Sequence, residues 1–205
     1  MIESAHDPVR AAHHQIGNSL QSVAAMLLRQ GRSADPRVAP ALFDASRRVR
    51  VIMRLHERLQ VQATGASVAL DDLIRDICRD LAEIDPVEED RSLKLELENI
   101  LVPASVASAV GLITAELASN ALEHGLRDHA GVCEVQLARS AEGCRLTVSD
   151  DGAGLPDGED LTAHEGFGLS LVRRLTAQIQ GGLAVRRRSR GVSFQIDFPL
   201  PAAPE

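Results

Sequence analysis

The fold of this chain is decided by three short stretches: Glu116-Leu-Ala-Ser-Asn120-Ala-Leu-Glu-His124, Asp150-Asp-Gly152-Ala-Gly154 and Gly166-Phe-Gly168-Leu-Ser-Leu171. Their order along the chain is that of a nucleotide pocket. The sequence has a single lysine, Lys94. Neither a Gly-Lys-Ser/Thr phosphate loop nor the lysine arrangement of protein kinases can therefore be built. A nucleotide site in this chain must bind phosphate by another route.

The first stretch lies on a helix predicted from Val102 to His124. Glu116, Asn120 and His124 are spaced four apart on it, so they share one helix face. The carboxamide oxygen of Asn120 is a hard ligand that suits Mg²⁺, and His124 can donate a hydrogen bond to a phosphate. By itself, such a face is more often an ordinary polar helix surface.

The other two stretches supply an acceptor and flexible backbone. Asp150 ends a predicted strand, and its carboxylate can only accept hydrogen bonds, so it can select the exocyclic amine of adenine. Gly152 and Gly154 permit positive φ and close approach to a flat base. Gly166 and Gly168 precede an amphipathic helix, whose free N–H groups and positive dipole end favour phosphate. Each signal is weak alone, and their order makes them stronger.

Two long segments, 8–31 and 37–63, precede this region and are separated by the breaker Gly31-Arg-Ser-Ala-Asp-Pro36. Apolar residues, among them Ile16, Leu20, Val23 and Leu27, recur at steps of three and four, which predicts an antiparallel helical hairpin. Two helices bury their apolar stripes poorly without a partner. We therefore expect a homodimer in which two hairpins form a four-helix bundle.

The remainder alternates between helical and strand patterns. The predicted elements are a helix at Leu70–Ile84, strands at Leu93–Glu98, Cys133–Arg139, Cys144–Ser149, Leu183–Arg187 and Val192–Phe198, and a helix at Phe167–Ile179. Helices and antiparallel strands in this order favour an α/β sandwich over a parallel sheet. The predicted fold class is α+β, with the helical hairpin in residues 1–65 and the sandwich in residues 66–205.

Composition limits the partners and the compartment. The net charge of −7 argues against nucleic acid as the main partner, and the basic run at residues 186–190 is interpreted as a solvated strand end. By the sequence pattern, no apolar run approaches the roughly 18 residues needed to span a bilayer, so no membrane contact is expected. The three scattered cysteines indicate buried thiols in a reducing cytoplasm.

Together, the three stretches resemble the nitrogen box and the two glycine boxes of the GHKL superfamily, which includes histidine kinases, gyrase-type ATPases and Hsp90. The resemblance covers roughly residues 66–200 and implies a Bergerat-type α/β sandwich that binds ATP with Mg²⁺, with residues 155–165 as a short lid. It assigns Asn120 to the metal. The residues that it assigns to ATP are Asn120, His124, Asp150, Gly152, Gly154, Gly166, Gly168 and Leu169.

The first helix adds a second resemblance. His13-His14-Gln-Ile-Gly17-Asn18-Ser-Leu-Gln21 is similar to the phosphoacceptor box of HisKA_2 and HWE-related histidine kinases. His13 falls on the apolar stripe, whereas His14 is rotated about 100° from it, next to Asn18 on a polar stripe. The resemblance therefore implies that His14 accepts the phosphoryl group, with Asn18 and Glu116 as its catalytic partners. The phosphoryl group would then pass to an aspartate of a response-regulator receiver domain.

The chain departs from the family pattern at three positions. Gln15 stands where the family usually has arginine, Ala11 where it has an acid, and Glu123 where many members carry a basic residue. Glu123 is reminiscent of anti-sigma-factor serine kinases. Because no sensor, transmembrane or receiver segment is recognised, input is expected from a separate sensory protein, or the sequence is part of a larger kinase.

Three functions remain open from the sequence. The first is an ATP-dependent histidine kinase. The second is a histidine phosphotransferase relay protein that takes phosphate from a receiver, and the third is an anti-sigma-like serine kinase. A scaffold that binds ATP without transferring phosphate is a further alternative. The intact pocket motifs and the acceptor hairpin favour the first of these.

Overall fold

The computed structural model describes residues 8–61, 67–84, 91–126, 130–141, 143–154 and 167–200. The chain divides into two compact units, Met1–Ala66 and Ser67–Glu205. The predicted linker at residues 60–67 lies mostly outside the described residues, although the second helix continues through Val61.

The first unit is a helical hairpin, as predicted. Helix α1 spans Pro8–Ser33 and helix α2 spans Ala39–Val61. Asp35 forms the turn between them, because its carbonyl oxygen accepts the N–H groups of Val38 and Ala39, at 2.8 and 3.0 Å. Its side-chain Oδ1 accepts the N–H of Arg37 at 2.8 Å. An aspartate whose side chain bonds to the backbone two residues ahead is a local turn signal. The break between the two helices could therefore be predicted from the sequence.

Small residues line the contact between the two helices. Ala24 is 3% exposed, and its carbonyl oxygen accepts a hydrogen bond from Ser46 Oγ of α2 at 3.0 Å. A Cβ atom on Gly31 would lie only 2.6 Å from the ring of Phe43. The helices therefore approach closely where α1 carries small side chains, and a bulky residue at these positions would separate them.

The apolar stripe that the sequence predicts along the first helix is divided between two environments in the structure. Leu20 and Leu27 are half-buried, whereas Ile16 and Val23 are more than 40% exposed. Ile52 on α2 is also exposed, at 43%. The apolar residues that recur at steps of three and four therefore lie on two adjacent faces of the helix. Only one of these faces is covered within the hairpin.

The second unit is built on a five-stranded sheet in the order β2-β4-β5-β7-β6. Strands β1 and β3 form a separate antiparallel pair. The bounds are β1 Ser67–Ala69, β2 Arg91–Leu97, β3 Leu101–Pro103, β4 Gly131–Ser140, β5 Gly143–Asp150, β6 Gly182–Arg187 and β7 Val192–Phe198. The short β1 and β3 were not predicted, because three residues are too few to display an alternating pattern.

The sheet is mixed. Strands β4, β5, β7 and β6 pair antiparallel, as the sequence predicted, but β2 runs parallel to β4. A helix lies between β2 and β4 in the chain, and a crossover of this kind is what parallel neighbours require. The α+β fold class is confirmed, with one parallel pair added to it.

Three helices complete this unit: α3 spans Leu70–Ile84, α4 spans Ala104–Asn120 and α5 spans Phe167–Gln178. Helix α3 has the predicted bounds, whereas α4 begins two residues later than predicted. Pro103, which was placed inside its first turn, belongs to β3 and caps the helix instead. The core is dominated by aliphatic side chains, including Leu70, Leu73, Ile74, Ile113, Leu117, Leu146 and Ile196.

One helical segment, Ala104–Gly125, is long and apolar enough to meet a length and composition test for crossing a membrane. The sequence pattern predicts no apolar run that approaches this length, and that prediction is wrong. Because 72% of its most apolar window is buried inside the unit, the segment reads as the core helix of the fold, and its apolar character is weak evidence for a membrane.

Candidate nucleotide site

The end of α4 meets the start of α5. Glu116 is 8% exposed, and Asn120 one turn later is half-buried. A Cβ atom on Gly168 would lie 2.9 Å from Glu116 Oε2 and 3.7 Å from Asn120 Nδ2. The first and third stretches are therefore neighbours in space. A larger residue at position 168 would press on both polar side chains.

After Asn120 the helix loosens into a π-helical turn, Ala121–Gly125. The turn is closed by a hydrogen bond from the N–H of Leu126 to the carbonyl oxygen of Ala121, at 2.9 Å. Short π-helical turns are frequent at functional sites. Because the regular 3.6-residue period ends at Asn120, the single face predicted for Glu116, Asn120 and His124 is not continuous. His124 is exposed.

Glu123 lies in the same turn and is half-buried. Its Oε1 accepts a hydrogen bond from Ser119 Oγ at 3.2 Å, and Ser119 is buried. Glu123, which departs from the family pattern, is thus hydrogen-bonded to a side chain of the preceding helix, α4. Its carboxylate has a structural partner one turn earlier.

Asp150 occupies the end of β5 and is 6% exposed. Its Oδ1 accepts the N–H of Gly152 at 3.0 Å, and the backbone N–H of Val192 also bonds to the carboxylate. Burial raises the pKa of Asp150 above its ordinary value, and the two backbone bonds and the charge of Arg188 partly oppose that rise. The side chain is a buried acceptor held by two neighbouring loops.

Glycines surround this carboxylate. A Cβ atom on Gly125 would lie 2.8 Å from Asp150 Oδ1, and one on Gly191 would lie 2.0 Å from the Asp150 carbonyl oxygen. A Cβ atom on Gly152 would lie 1.9 Å from the Gly125 carbonyl oxygen. These contacts bring three backbone segments together. They leave no room for a side chain between the π-helical turn, β5 and the residue before β7.

The sequence predicts positive φ at both Gly152 and Gly154, and the two residues differ in the structure. Gly154 has a φ of 71°, the left-handed conformation that the sequence predicted. Gly152 is not among the residues with positive φ, so that expectation was wrong for it. Gly152 is needed because it packs on the backbone of Gly125, whose carbonyl oxygen also accepts the N–H of Ala153 at 2.9 Å.

Sequence reasoning missed several residues of this region. Asp151 does not act like Asp150, because its Oδ1 accepts the N–H of Val132 at 2.6 Å and so ties β4 to the end of β5. Gly125 and Gly191 were not singled out. Gly191, with a φ of 76°, could have been noticed as a glycine between two alternating strand patterns.

Some of the predicted residues are only partly described. Leu169 is half-buried, whereas Gly166 and the lid at 155–165 lie outside the described residues. The backbone of His14 belongs to α1, but its side chain is not described. Asn18 is exposed, as expected for the polar stripe. A Cβ atom on Gly17 would meet nothing within 4 Å.

These residues fit an adenine nucleotide. A buried carboxylate held as an acceptor can recognise an amine donor, and the glycine contacts leave the backbone bare around it. Among the described residues there is no group of three His, Cys, Asp or Glu side chains that could hold a metal ion. A cation at Asn120 would therefore draw most of its ligands from phosphate and water, as Mg²⁺ usually does.

Comparison with known proteins agrees with this geometry. Residues 105–202 match the family of histidine kinase-, DNA gyrase B- and HSP90-like ATPases, and residues 12–85 match the HisKA_2 histidine kinase family. The first of these families implies ATP binding. The two matches include the end of α4, Asp150 and the α1–α2 hairpin.

Similar proteins align with this chain across both regions. The sensor histidine kinase PdtaS of Mycobacterium tuberculosis is 33% identical over 201 residues, which cover 94% of this chain and 39% of PdtaS. The blue-light-activated histidine kinase 2 of Erythrobacter litoralis is 29% identical over 194 residues, covering 91% of this chain and 55% of that protein. This chain thus spans between about two fifths and just over half of these curated relatives.

A solved structure supports the same assignment. The histidine kinase domain of the blue-light-activated kinase EL346 from Erythrobacter litoralis superimposes with a TM-score of 0.73 at 25% identity, covering 89% of this chain and 96% of that domain. The helical hairpin, the mixed sheet and the order of the three stretches all occur in one chain. The chain therefore belongs to the histidine kinases that combine a HisKA_2 region with a gyrase- and HSP90-like ATPase domain.

Proposed function

We propose that the chain is the ATP-dependent core of a two-component histidine kinase, which phosphorylates His14 and passes the phosphoryl group to a response-regulator aspartate. The observation that carries this proposal is the meeting of Glu116 and Asn120 with the start of α5 at Gly168. Together with the buried acceptor Asp150, it places the three stretches in one domain of an ATP-binding family.

The described residues can be given separate tasks. Asp150 accepts a hydrogen bond from the adenine amine. The N-terminal turn of α5, with Gly168 and Leu169, provides backbone N–H groups for phosphate, and His124 is exposed and able to donate to it. Gly166, which precedes this helix in the sequence and lies outside the described residues, is proposed to bind phosphate with them. Bound ATP supplies the phosphoryl group. Within this scheme Gly152 and Gly154 shape the wall of the pocket near the base.

Asn120 is proposed as the protein ligand of Mg²⁺, because a carboxamide oxygen suits a hard cation. Glu116 lies one turn before it and is buried, so its carboxylate is held near the phosphate end of the site. We assign Glu116 to orienting the incoming acceptor or receiving its proton. Such a role agrees with its place beside Gly168, where an added Cβ atom would lie 2.9 Å from Glu116 Oε2.

His14 is the proposed acceptor. A neutral imidazole nitrogen is the nucleophile, and an imidazole with an ordinary pKa of about 6.5 is mostly neutral near pH 7. Asn18 follows one turn later on the exposed polar stripe and is proposed to orient the imidazole. The product is a phosphoramidate, in which the imidazole nitrogen has replaced the leaving ADP oxygen on phosphorus.

We further propose that the hairpin forms a homodimer. Its exposed side chains Ile16, Val23 and Ile52 supply an apolar face that a second hairpin can cover. A response-regulator receiver domain and a separate sensory protein are the remaining proposed partners. A cytoplasmic location is proposed because phosphoryl transfer to a receiver takes place there.

The test is incubation with γ-labelled ATP and Mg²⁺. Wild-type protein should acquire a label that is labile in acid and stable in base. His14→Ala and Asn120→Ala should abolish the label, whereas His13→Ala is the matched control for the neighbouring imidazole and should retain it.

Other outcomes support the alternatives. Nucleotide binding without any label would indicate an ATP-binding scaffold. Label accepted only from a phosphorylated receiver, without nucleotide binding, would indicate a relay protein. A stable label on serine of a separate protein would indicate an anti-sigma-like kinase, for which Glu123 is the residue in favour.

A further inference from the structure

Arg188 lies in the turn between β6 and β7, next to the nucleotide site. Its Nη1 donates a hydrogen bond to Ser149 Oγ at 3.0 Å. Ser149 is 5% exposed and immediately precedes Asp150 on β5. The N–H of Arg188 also bonds to the carbonyl oxygen of Gly191 at 3.2 Å, which closes the turn. One residue therefore fastens this turn to the strand that carries Asp150.

The same turn forms one wall around Asp150. The backbone N–H of Val192 bonds to its carboxylate, and Gly191 packs so tightly on its carbonyl oxygen that a Cβ atom would lie 2.0 Å away. A Cβ atom on Gly154 would lie 3.5 Å from the backbone nitrogen of Gly191. A shift of the β6–β7 turn would therefore move a donor to Asp150 and the glycine-rich segment after it.

Charge points in the same direction. Asp151 raises the pKa of Asp150, whereas Arg188 lowers it. Cys133 faces Asp150 in the register of β4 and β5, and its own thiol pKa is raised, chiefly by burial, so it carries no charge. His124, on the π-helical turn, is exposed and is not among the groups that shift the pKa of Asp150. Among the described groups that shift the pKa of Asp150, the cation is Arg188.

We propose that Arg188 is a positioning residue for adenine recognition: through Ser149 it holds the β6–β7 turn and the Asp150 carboxylate in the geometry that accepts the adenine amine. This inference rests on the proposed function, in which Asp150 reads the base. Arg188 itself is exposed and does not need to touch the nucleotide. It acts by fixing the residues that do.

The experiment compares Arg188→Gln and Arg188→Lys with wild type. Arg190→Gln is the matched control, since Arg190 is exposed on the same turn and makes no hydrogen bond or ion pair with any described residue. Binding of ADP and of inosine diphosphate, which lacks the exocyclic amine, is measured by calorimetry between pH 5 and pH 8. Thermal melting confirms that each variant is folded.

Arg188→Gln should weaken ADP binding about tenfold at pH 7, the size expected for one partly exposed charge-assisted contact. It should leave inosine diphosphate nearly unchanged. Because an ionised carboxylate accepts the amine more strongly than the neutral acid does, affinity falls as the pH falls through the pKa of Asp150. Without the cation this loss should begin at higher pH, and Arg188→Lys should restore the wild-type midpoint.

Two results overturn the inference alone: ADP binding by Arg188→Gln that matches wild type, or a weakening that is equal for both nucleotides and parallel at every pH. The latter would show that Arg188 serves only the stability of the turn. If wild type binds ADP no better than inosine diphosphate, base reading by Asp150 fails and the inference fails with it. If wild type binds neither, the proposed function itself is lost.

Discussion

The most demanding test of the site geometry is Gly152→Ala. The change adds one carbon atom, which in the present backbone would lie 1.9 Å from the carbonyl oxygen of Gly125. Non-bonded atoms need roughly 3.5 Å. The obstacle is backbone and not the end of a flexible side chain, so either the π-helical turn or residues 152–154 must move.

The magnitude follows from what that movement breaks. The hydrogen bond from Ala153 N–H to the Gly125 carbonyl oxygen is lost, which costs about 0.5–1.5 kcal/mol because Ala153 is exposed and water can replace the bond. Overpacking adds about 1–3 kcal/mol. Because the two effects share one movement, we expect roughly 2–4 kcal/mol in total. At about 4 °C per kcal/mol for a unit of this size, the Tm should fall by roughly 8–16 °C.

The assay is thermal melting by circular dichroism with and without ADP, which identifies the transition of the nucleotide-binding unit. Gly182→Ala is the matched control, since a Cβ atom there would meet nothing within 4 Å. ADP affinity of Gly152→Ala should fall more than tenfold, because Asp150 loses the position of its Gly152 donor. A Tm within about 2 °C of wild type, with unchanged ADP affinity, would refute the packing argument.

Three further predictions follow from other parts of the fold. Gly31→Ala should destabilise the hairpin by about 1–2 kcal/mol through contact with the Phe43 ring, whereas Gly17→Ala should stabilise it by up to about 1 kcal/mol, as thermal melts would detect. Burial raises the pKa of Asp150, so its ionisation opposes folding, increasingly as the pH rises through the folded pKa. Asp150→Asn should therefore melt no lower than wild type at pH 7 while losing ADP binding in calorimetry. Burial raises the pKa of Cys78 to about 12, and all three cysteines are buried, so native protein should resist a thiol reagent that labels three thiols in urea.

Local pattern explains what could be predicted of the fold. Helix α3 was placed at its observed bounds because its apolar residues follow one helical period against a single buried face. The hairpin of β4 and β5 was readable from two alternating runs around a short glycine-containing turn. The parallel pairing of β2 with β4 was not, because nothing in a strand's own residues states which neighbour it will have.

The site divides in the same way. Asp150 and Gly154 could be singled out because residue type alone marks a carboxylate at a strand end and a glycine that is able to adopt positive φ. The π-helical turn after Asn120 could not, since it depends on how Gly125 packs against Asp150. The division of the hairpin stripe into a covered and an exposed face likewise required the second helix.

By itself, therefore, the sequence determined the order of the longer elements, the family and the chemical character of the pocket, because residue type and spacing act over a few neighbouring positions. Tertiary structure decided that Gly168 lies against Glu116, that Arg188 bonds to Ser149 and that Gly191 packs on Asp150. These residues are far apart in the chain. Only the packing of α4 against α5, and of β5 against β7, brings them into contact.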